Sequence, residues 1–265
     1  MQKRQTVLVT NDDSIRSSFL KPLVRALQEA FDVVIAAPLK QQSFVGRSFS
    51  YRKQVEVHPQ DEAFWGCKAW AIDGTTSDCV NIALGHLLPE KPVAIVSGIN
   101  QGFNATLNII LGSGTVAAAL EGAFWGVPSF AFSMEVPDSF DAAVATGSHH
   151  EPDAALAQSL GHSAQHACTI VQSSLQELHQ HLAVHNINFP VNTTQETAII
   201  KTEPGIVDMG TIFRPIRTGL YEFQYPEVRQ IHHHDRTDHK VILSGAISHS
   251  ILDYSVLGSL LALGK

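Results

Sequence analysis

Apolar and polar positions alternate between short β-branched runs and longer helical periods over the first half of the chain. Thr6–Thr10 is an apolar run that reads as a first buried strand. Ile15, Phe19, Leu20, Leu23, Val24, Leu27 and Phe31 then recur at i, i+4, i+5, i+8 and i+9, the spacing of an amphipathic helix. Val33–Ala37 is a second buried strand, stopped by Pro38. Val55–Val57 and Ala69–Ile72 read as shorter strands, in a hairpin or arm. Thr75 or Thr76 is placed to cap a helix running through Leu87. Val93–Val96 is a third buried strand, ending at Ser97-Gly98-Ile99-Asn100. Gly114–Trp125 is helical and broken by Gly126-Val127-Pro128, and Ser129–Ser133 is another short strand. Strands alternating with helices predict a doubly wound, Rossmann-like α/β fold with a mostly parallel sheet.

The second half reads differently. Residues 134–153 are polar and loop-like, and Ala154 to about Leu182 predicts one long helix rich in Gln, His and Leu. Ile187–Phe189 is a short strand before Pro190. Residues 191–245 mix β-branched stretches with turns and a His/Asp-rich segment, a strand-rich C-terminal extension. No repeat or low-complexity linker divides the chain. The expected organisation is an α/β core over residues 1–190 and an extension over 191–265 that closes back on it.

Composition narrows the function classes. Of 265 residues 44% are hydrophobic and 16% charged, enough apolar material for a sizeable core. The net charge of −7, with no basic stripe, argues against duplex nucleic acid as a partner. A small phosphate ester stays open, because a metal can supply positive charge. Cys67, Cys79 and Cys168 are scattered, without C-x-x-C, and read as thiols in a reducing compartment. Met1-Gln2-Lys3-Arg4-Gln5 leads straight into a strand, without a signal-peptide apolar region. No apolar run of 18 residues suggests a membrane span. The expectation is a soluble, cytoplasmic protein with no membrane partner, in which the sequons at Asn104 and Asn192 are incidental.

The candidate chemistry sits at strand ends. In an open parallel sheet, ligands bind outside the carboxyl ends of the strands. The first strand stops at Asn11-Asp12-Asp13-Ser14, where a dinucleotide site would need G-x-G-x-x-G. Two carboxylates would repel a pyrophosphate unless a cation such as Mg²⁺ or Mn²⁺ intervened. The plain alternative is a helix cap with a surface acid beside it. The second strand is followed by a hydroxyl- and Gly-rich loop with Ser43, Gly46, Ser48 and Ser50, otherwise an ordinary polar loop. The third ends at Asn100, with Gly102 and Asn104 beyond; Asn100 offers an amide oxygen to a metal or makes an Asx turn. Gly112-Ser113-Gly114-Thr115 opens a helix whose amino end can receive an anion or simply be capped. Taken together these segments hold the inventory for a divalent metal beside a phosphate.

These stretches resemble the SurE family, the stationary-phase survival proteins. The resemblance is carried by Val7–Asp13 (VLVTNDD), Ala37-Pro38 with Ser43, Gly74–Val80 (GTTSDCV), Val96–Asn104 (VSGINQGFN) and Ser113–Gly122 with Gly126, Pro128 and Ser129. Thr237-Asp238 is a weaker echo. The match is dense from about residue 6 to 133 and thin beyond. It implies a metal-dependent phosphatase acting on nucleoside 5′- and 3′-monophosphates. It implies one divalent cation held by Asp12, Asp13, Ser43 and Asn100, with Asp12 and Asp13 as the catalytic carboxylates. Asn11, Asn104, Ser113, Gly114 and Thr115 would line the phosphate pocket. It also implies a homodimer or homotetramer built through an arm over residues 205–245.

Five positions or segments depart from the family pattern. Ser14 stands where Gly is usual, Phe44 where a small residue is common, Gly112 where an aromatic precedes Ser-Gly-Thr, and Thr76 where Pro is frequent. Ser248–Leu252 replaces the usual ending. None removes an implied ligand. The rival readings are a nonenzymatic nucleotide-sensing homologue, or a phosphatase for short polyphosphate or sugar phosphates. His232-His233-His234-Asp235, with Asp238 and His239, is a second metal candidate, better read as an exposed loop. His149-His150-Glu151 is not the H-E-x-x-H of zinc proteases. The chain has no G-x-S-x-G, P-loop or G-x-G-x-x-G motif.

Overall fold

The computed structural model describes residues 4–137, 139–140, 151–176, 182–224, 229–230 and 235–258, with backbone alone at 229–230. His149, His150 and the His232–His234 cluster lie outside the described residues. The core is a nine-stranded sheet that begins with β1 (Thr6–Thr10) and β2 (Asp32–Pro38). It continues through β3 (Val57–Pro59), β4 (Ala69–Ile72), β5 (Ala94–Gln101) and β6 (Ser129–Met134). It is completed by β7 (Ala183–Phe189), β8 (Ile199–Lys201) and, late in the chain, Ile247–Asp253. The spatial order is β3, β4, β2, β1, β5, β6, β7, the 247–253 strand, β8. From β4 to β7 every pairing is parallel. β3 and the 247–253 strand run antiparallel to β4 and β7. Parallel strands need helical crossovers, which cover both faces and leave the strands buried.

One face is covered by α1 (Leu20–Gln28) and the long helix Ala154–Ser174. The short helix α2 (Glu62–Trp65) packs on the same face through Trp65, and the other face carries α3 (Thr76–Ile82), α4 (Leu107–Gly112) and α5 (Gly114–Phe124). Thr75 caps α3 in a capping box: its hydroxyl accepts from Asp78 N–H at 3.1 Å, and Asp78 accepts from Thr75 N–H at 2.8 Å. α5 lies close on the sheet because its buried face is Gly, Ala and Val. A Cβ on Gly122 would come within 2.7 Å of Ser129 Oγ and 2.9 Å of Ile95 Cβ, so the helix could not seat with any larger residue there.

Four expectations change. The first helix starts at Leu20 instead of near Ile15, because Ser14 holds φ at +82° and the chain turns before it can coil. The Val55–Val57 and Ala69–Ile72 segments pair antiparallel as the expected hairpin, with the first strand at Val57–Pro59, but they form no separate arm, because β4 joins β2 in the main sheet. The third strand ends one residue beyond the expected Asn100, at Gln101, and its last part passes through a register shift between Ser97 and Asn100 that carries Gly98 at φ +130°. The 247–253 strand was not foreseen; its pairing partners β7 and β8 are distant in sequence.

The remaining elements are β9 (Val207–Asp208), the hairpin β10 (Phe213–Arg217) and β11 (Leu220–Phe223), β12 (Arg229–Gln230) and the helix α7 (Asp238–Leu243), with Ala154–Ser174 as α6 and Ile247–Asp253 as β13. Buried Asp238 ties this part to the core. It accepts from Thr106 N–H at 2.8 Å, Gly205 N–H at 2.9 Å and His239 N–H at 2.8 Å. Asp238→Ala leaves those donors without their acceptor, and the expected loss is about 3 kcal/mol or more. A melting temperature lower by roughly 6 °C or more is the expected result, whereas Asp235→Ala, in an exposed pair with Lys240, should change little.

Candidate active site

The strand order reverses at β1. The chain proceeds from β1 to β2 and β4 on one side, then from β5 to β6 and β7 on the other. Loops leaving β1 and β5 diverge at that point and open a crevice at the strands' carboxyl ends. A cavity of about 340 Å³ lies there, lined by residues that include Asp12, Ser43, Asn100, Asn104 and Ser113. Four loops far apart in sequence thus meet at one place.

Asp12 is 3% exposed and Asp13 half-buried. Thr115, wholly buried, donates its hydroxyl to Asp12 Oδ1 at 2.5 Å. Gln101 N–H donates to Asp13 Oδ2 at 2.9 Å, so β5 holds one acid and α5 the other. Gln42 N–H donates to the Asp12 carbonyl at 2.7 Å and brings the loop after β2 to the same spot. Ser43 in that loop accepts from Gln41 Nε2 at 3.1 Å. Gly114 permits the close approach of α5: an added Cβ would lie 2.8 Å from Asp12 Cβ and from the Gln42 carbonyl. Ser113 caps α5, accepting from Val116 N–H at 3.2 Å, and the helix's positive end faces this side of the cavity.

Burial pushes the Asp12 carboxyl up to about 6 against the pull of Thr115. Burial and the neighbouring Asp12 push Asp13 well above the ordinary carboxylate range. Among the described residues neither Lys nor Arg lines the cavity. The donor set is therefore oxygen-rich and short of positive charge, which suits a hard divalent cation. Asn100 donates its Nδ2 to the Gly102 carbonyl at 2.6 Å, leaving Oδ1 as the end a cation can use. No group of three or more His, Cys, Asp or Glu gathers among the described residues, so a cation site here must mix carboxylate, hydroxyl and amide oxygens.

The phosphate-pocket residues fall into two groups. Ser113 and Asn104 line the cavity. Asn104 Nδ2 uses one hydrogen on Ser133 Oγ at 2.8 Å and keeps a second. Its main chain is held by Asn186 and Asn188 at 2.7–3.3 Å, a buried amide lattice that sequence spacing could not reveal. Asn11 and Thr115 are wholly buried behind the wall, where Asn11 Nδ2 donates to the Ser14 carbonyl at 2.8 Å. Gln101, Phe103, Glu135, Met209 and His239 also line the cavity without having been singled out as its walls. Of these, His239 had been named only in the His/Asp segment read as an exposed loop, next to the Thr237-Asp238 pair.

The comparisons with known proteins agree with this geometry. A family model described as "Survival protein SurE" matches residues 7–209. A protein of Protochlamydia amoebophila named 5′-nucleotidase SurE is 35% identical over 190 residues, 72% of this chain and 66% of that protein. One of Rhodopirellula baltica with the same name is 43% identical over 143 residues, 52% of this chain and 54% of that protein. The chain thus matches between about half and two thirds of the length of these curated relatives. The crystal structure of the SurE protein of Aquifex aeolicus matches with a TM-score of 0.72 at 25% identity, covering 96% of this chain and 98% of that one. With the motif segments, the switch-point crevice and these matches in agreement, this chain belongs to the SurE family.

Proposed function

We propose that this protein is a divalent-metal-dependent phosphomonoesterase that releases phosphate from nucleoside 5′-monophosphates, with 3′-monophosphates as further substrates. The observation that carries the reading is the convergence of Asp12, Ser43 and Asn100 on the cavity beside the amino end of α5, with Asp13 next to Asp12 and held by Gln101 N–H just outside the cavity lining. The relatives' name, 5′-nucleotidase SurE, supports the same reaction class. The four oxygen-bearing side chains would hold one Mg²⁺ or Mn²⁺. When bound, the cation supplies charge neutralisation and Lewis acidity at a phosphoryl oxygen.

The chain's own residues do the rest. Thr115 and Gln101 aim the two carboxylates. The amino end of α5, reached across Gly114, stabilises charge that grows on the remaining phosphoryl oxygens. Asn104 presents its second amide hydrogen from a frame that Asn186, Asn188 and Ser133 keep rigid, so little reorganisation is needed during reaction.

A homodimer or homotetramer through the C-terminal arm belongs to the same proposal. Phe213, Ile216, Leu220 and Tyr221 on the β10–β11 hairpin are 42–64% exposed, an apolar surface that a second copy would cover. A cytoplasmic location is proposed from the three free thiols. No helix among the described residues is long and apolar enough to cross a membrane.

Phosphate release from AMP by the purified protein is expected to vanish after chelation and return with Mn²⁺ or Mg²⁺. Asp13→Ala should lower kcat on the order of 10²-fold or more. No release from the intact protein with any divalent metal would sink the proposal. A second expectation concerns stability. Asp12 is held at about 6 in the folded chain against 3.8 for a free aspartate. The charged form is thus disfavoured by folding, and the stability lent by the protonated form is lost as pH rises through about 6. Asp12→Asn should accordingly stabilise the chelated protein at pH 8 by an amount on the order of 3 kcal/mol and so raise its melting temperature, while abolishing turnover. Calorimetric melts of both proteins at pH 5 and pH 8 check this; a lower melting temperature for the variant at pH 8 contradicts it.

A further inference from the structure

Beyond its metal end, the cavity wall is largely apolar and aromatic: Phe44, Phe103, Ile109, Met209 and His239. Phe44 follows Ser43 directly, so this wall begins one residue from the oxygen donors. Its position is built at some cost, because Phe44 holds φ at +55°, where an L side chain is disfavoured. Outliers of this kind cluster at ligand clamps. The loop is pinned at both ends of the ring, by Gln42 N–H on the Asp12 carbonyl at 2.7 Å and by Gly46 N–H on the Gly112 carbonyl at 2.9 Å.

Gly112 explains why the ring fits. Its backbone lies outside the left-handed region, so an ordinary residue could stand there. A Cβ at 112 would lie 3.3 Å from Phe44 Cδ1 and 3.8 Å from Cε1. A side chain at 112 would therefore grow into the volume that the Phe44 ring fills. The two departures noted in the sequence, a large residue at 44 and a missing aromatic at 112, are one exchange in space. The ring is backed by Phe223 of the β10–β11 hairpin, at 5.3 Å between centroids and 54° between planes, yet remains 40% exposed.

We infer that Phe44 is the residue that selects for a nucleobase, offering an aromatic stacking face from the loop after β2 in place of one at position 112. The inference rests on the phosphatase reading for the position of the phosphate, and names what lies beyond it. An aromatic ring beside a phosphate site suits a planar base, which stacks whatever its sequence identity. The cavity's 340 Å³ is at the small end for ligand pockets, room for a mononucleotide rather than a polymer.

The test compares AMP with ribose 5-phosphate, which keeps the sugar and phosphate and lacks the base. Full-length protein with Mn²⁺ is assayed for binding by calorimetry and for phosphate release, as wild type, Phe44→Gly, Phe44→Leu and Phe44→Gly/Gly112→Tyr. In Phe44→Gly the preference for AMP over ribose 5-phosphate, in kcat/KM and in affinity, should fall about tenfold, through the KM for AMP. Glycine adopts the positive φ at this position without strain, and an unchanged turnover of ribose 5-phosphate shows that the site is still assembled. Leucine, with bulk and no π face, should also lose most of the preference, and the double variant should regain most of it. An unchanged preference in Phe44→Gly overturns the inference. A leucine variant equal to wild type overturns stacking, and a double variant as poor as Phe44→Gly overturns the exchange of rings. AMP binding that depends on Phe44 without phosphate release would sink the phosphatase reading and leave this inference standing. Failure of the wild type to bind AMP would overturn it.

Discussion

Two carboxylates stand side by side at the carboxyl end of β1, Asp12 buried and Asp13 half-buried, with no Lys or Arg among the described residues on the cavity wall. Burying like charges together is unfavourable, and such a pair persists only where the surrounding fold overdetermines it. Here the fold does so from three directions. Thr115 on α5 donates to Asp12, Gln101 on β5 donates to Asp13, and the loop after β2 closes over the Asp12 main chain through Gln42. The donors come from the loop after β2 on one side of β1 and from the end of β5 and the helix that follows it on the other, so the pair can be assembled only when the sheet has its reversed strand order.

Close packing makes that assembly possible. Gly122 lets α5 press on β5 and β6, and Gly114 lets its amino end reach Asp12. A β-carbon at either position would meet a neighbour at 2.9 Å or less. The same helix therefore serves as a layer of the core and as a wall of the site, and its residues are small for both reasons. On the far side, Asp238 gathers three backbone N–H groups from the Thr106, Gly205 and His239 positions. It thereby ties the C-terminal part to the loop that carries Asn104, and brings Met209 and His239 to the cavity.

The departures from the family pattern have different physical weights. Ser14 and Phe44 both hold positive φ, where glycine would be at ease, so each carries local strain. Ser14 leaves the acids' supports intact: its carbonyl still takes Asn11 Nδ2, and its hydroxyl takes Arg16 N–H at 3.3 Å. Phe44 is coupled to the missing side chain at 112. Thr76 starts α3 behind a complete capping box, which asks no proline of it. His249, in the altered ending, sits in the ladder of β13, and its ring approaches that of His185 at 2.9 Å between nitrogens.

The amino-acid order by itself determined the alternation of β1, β2, α5 and β6, the fold class, and the strand-end acids and amides. Those features repeat within a few residues: apolar runs, helical spacing, and polar groups where a run stops. What only the tertiary structure decided depends on neighbours distant in sequence. β13 completes the sheet because β7 and β8 lie beside it, not because its own pattern marks a strand. Asn100 lies inside β5 because a register shift beside β6 prolongs the strand. Thr115 and Asn11 were read as lining the phosphate pocket and instead stand behind its wall as buried supports, since burial is a property of what packs against them. The aromatic exchange between 44 and 112 was visible only as two unrelated departures until the chain brought their side-chain directions together. Local order reports what a residue can do; distance in space decides what it meets.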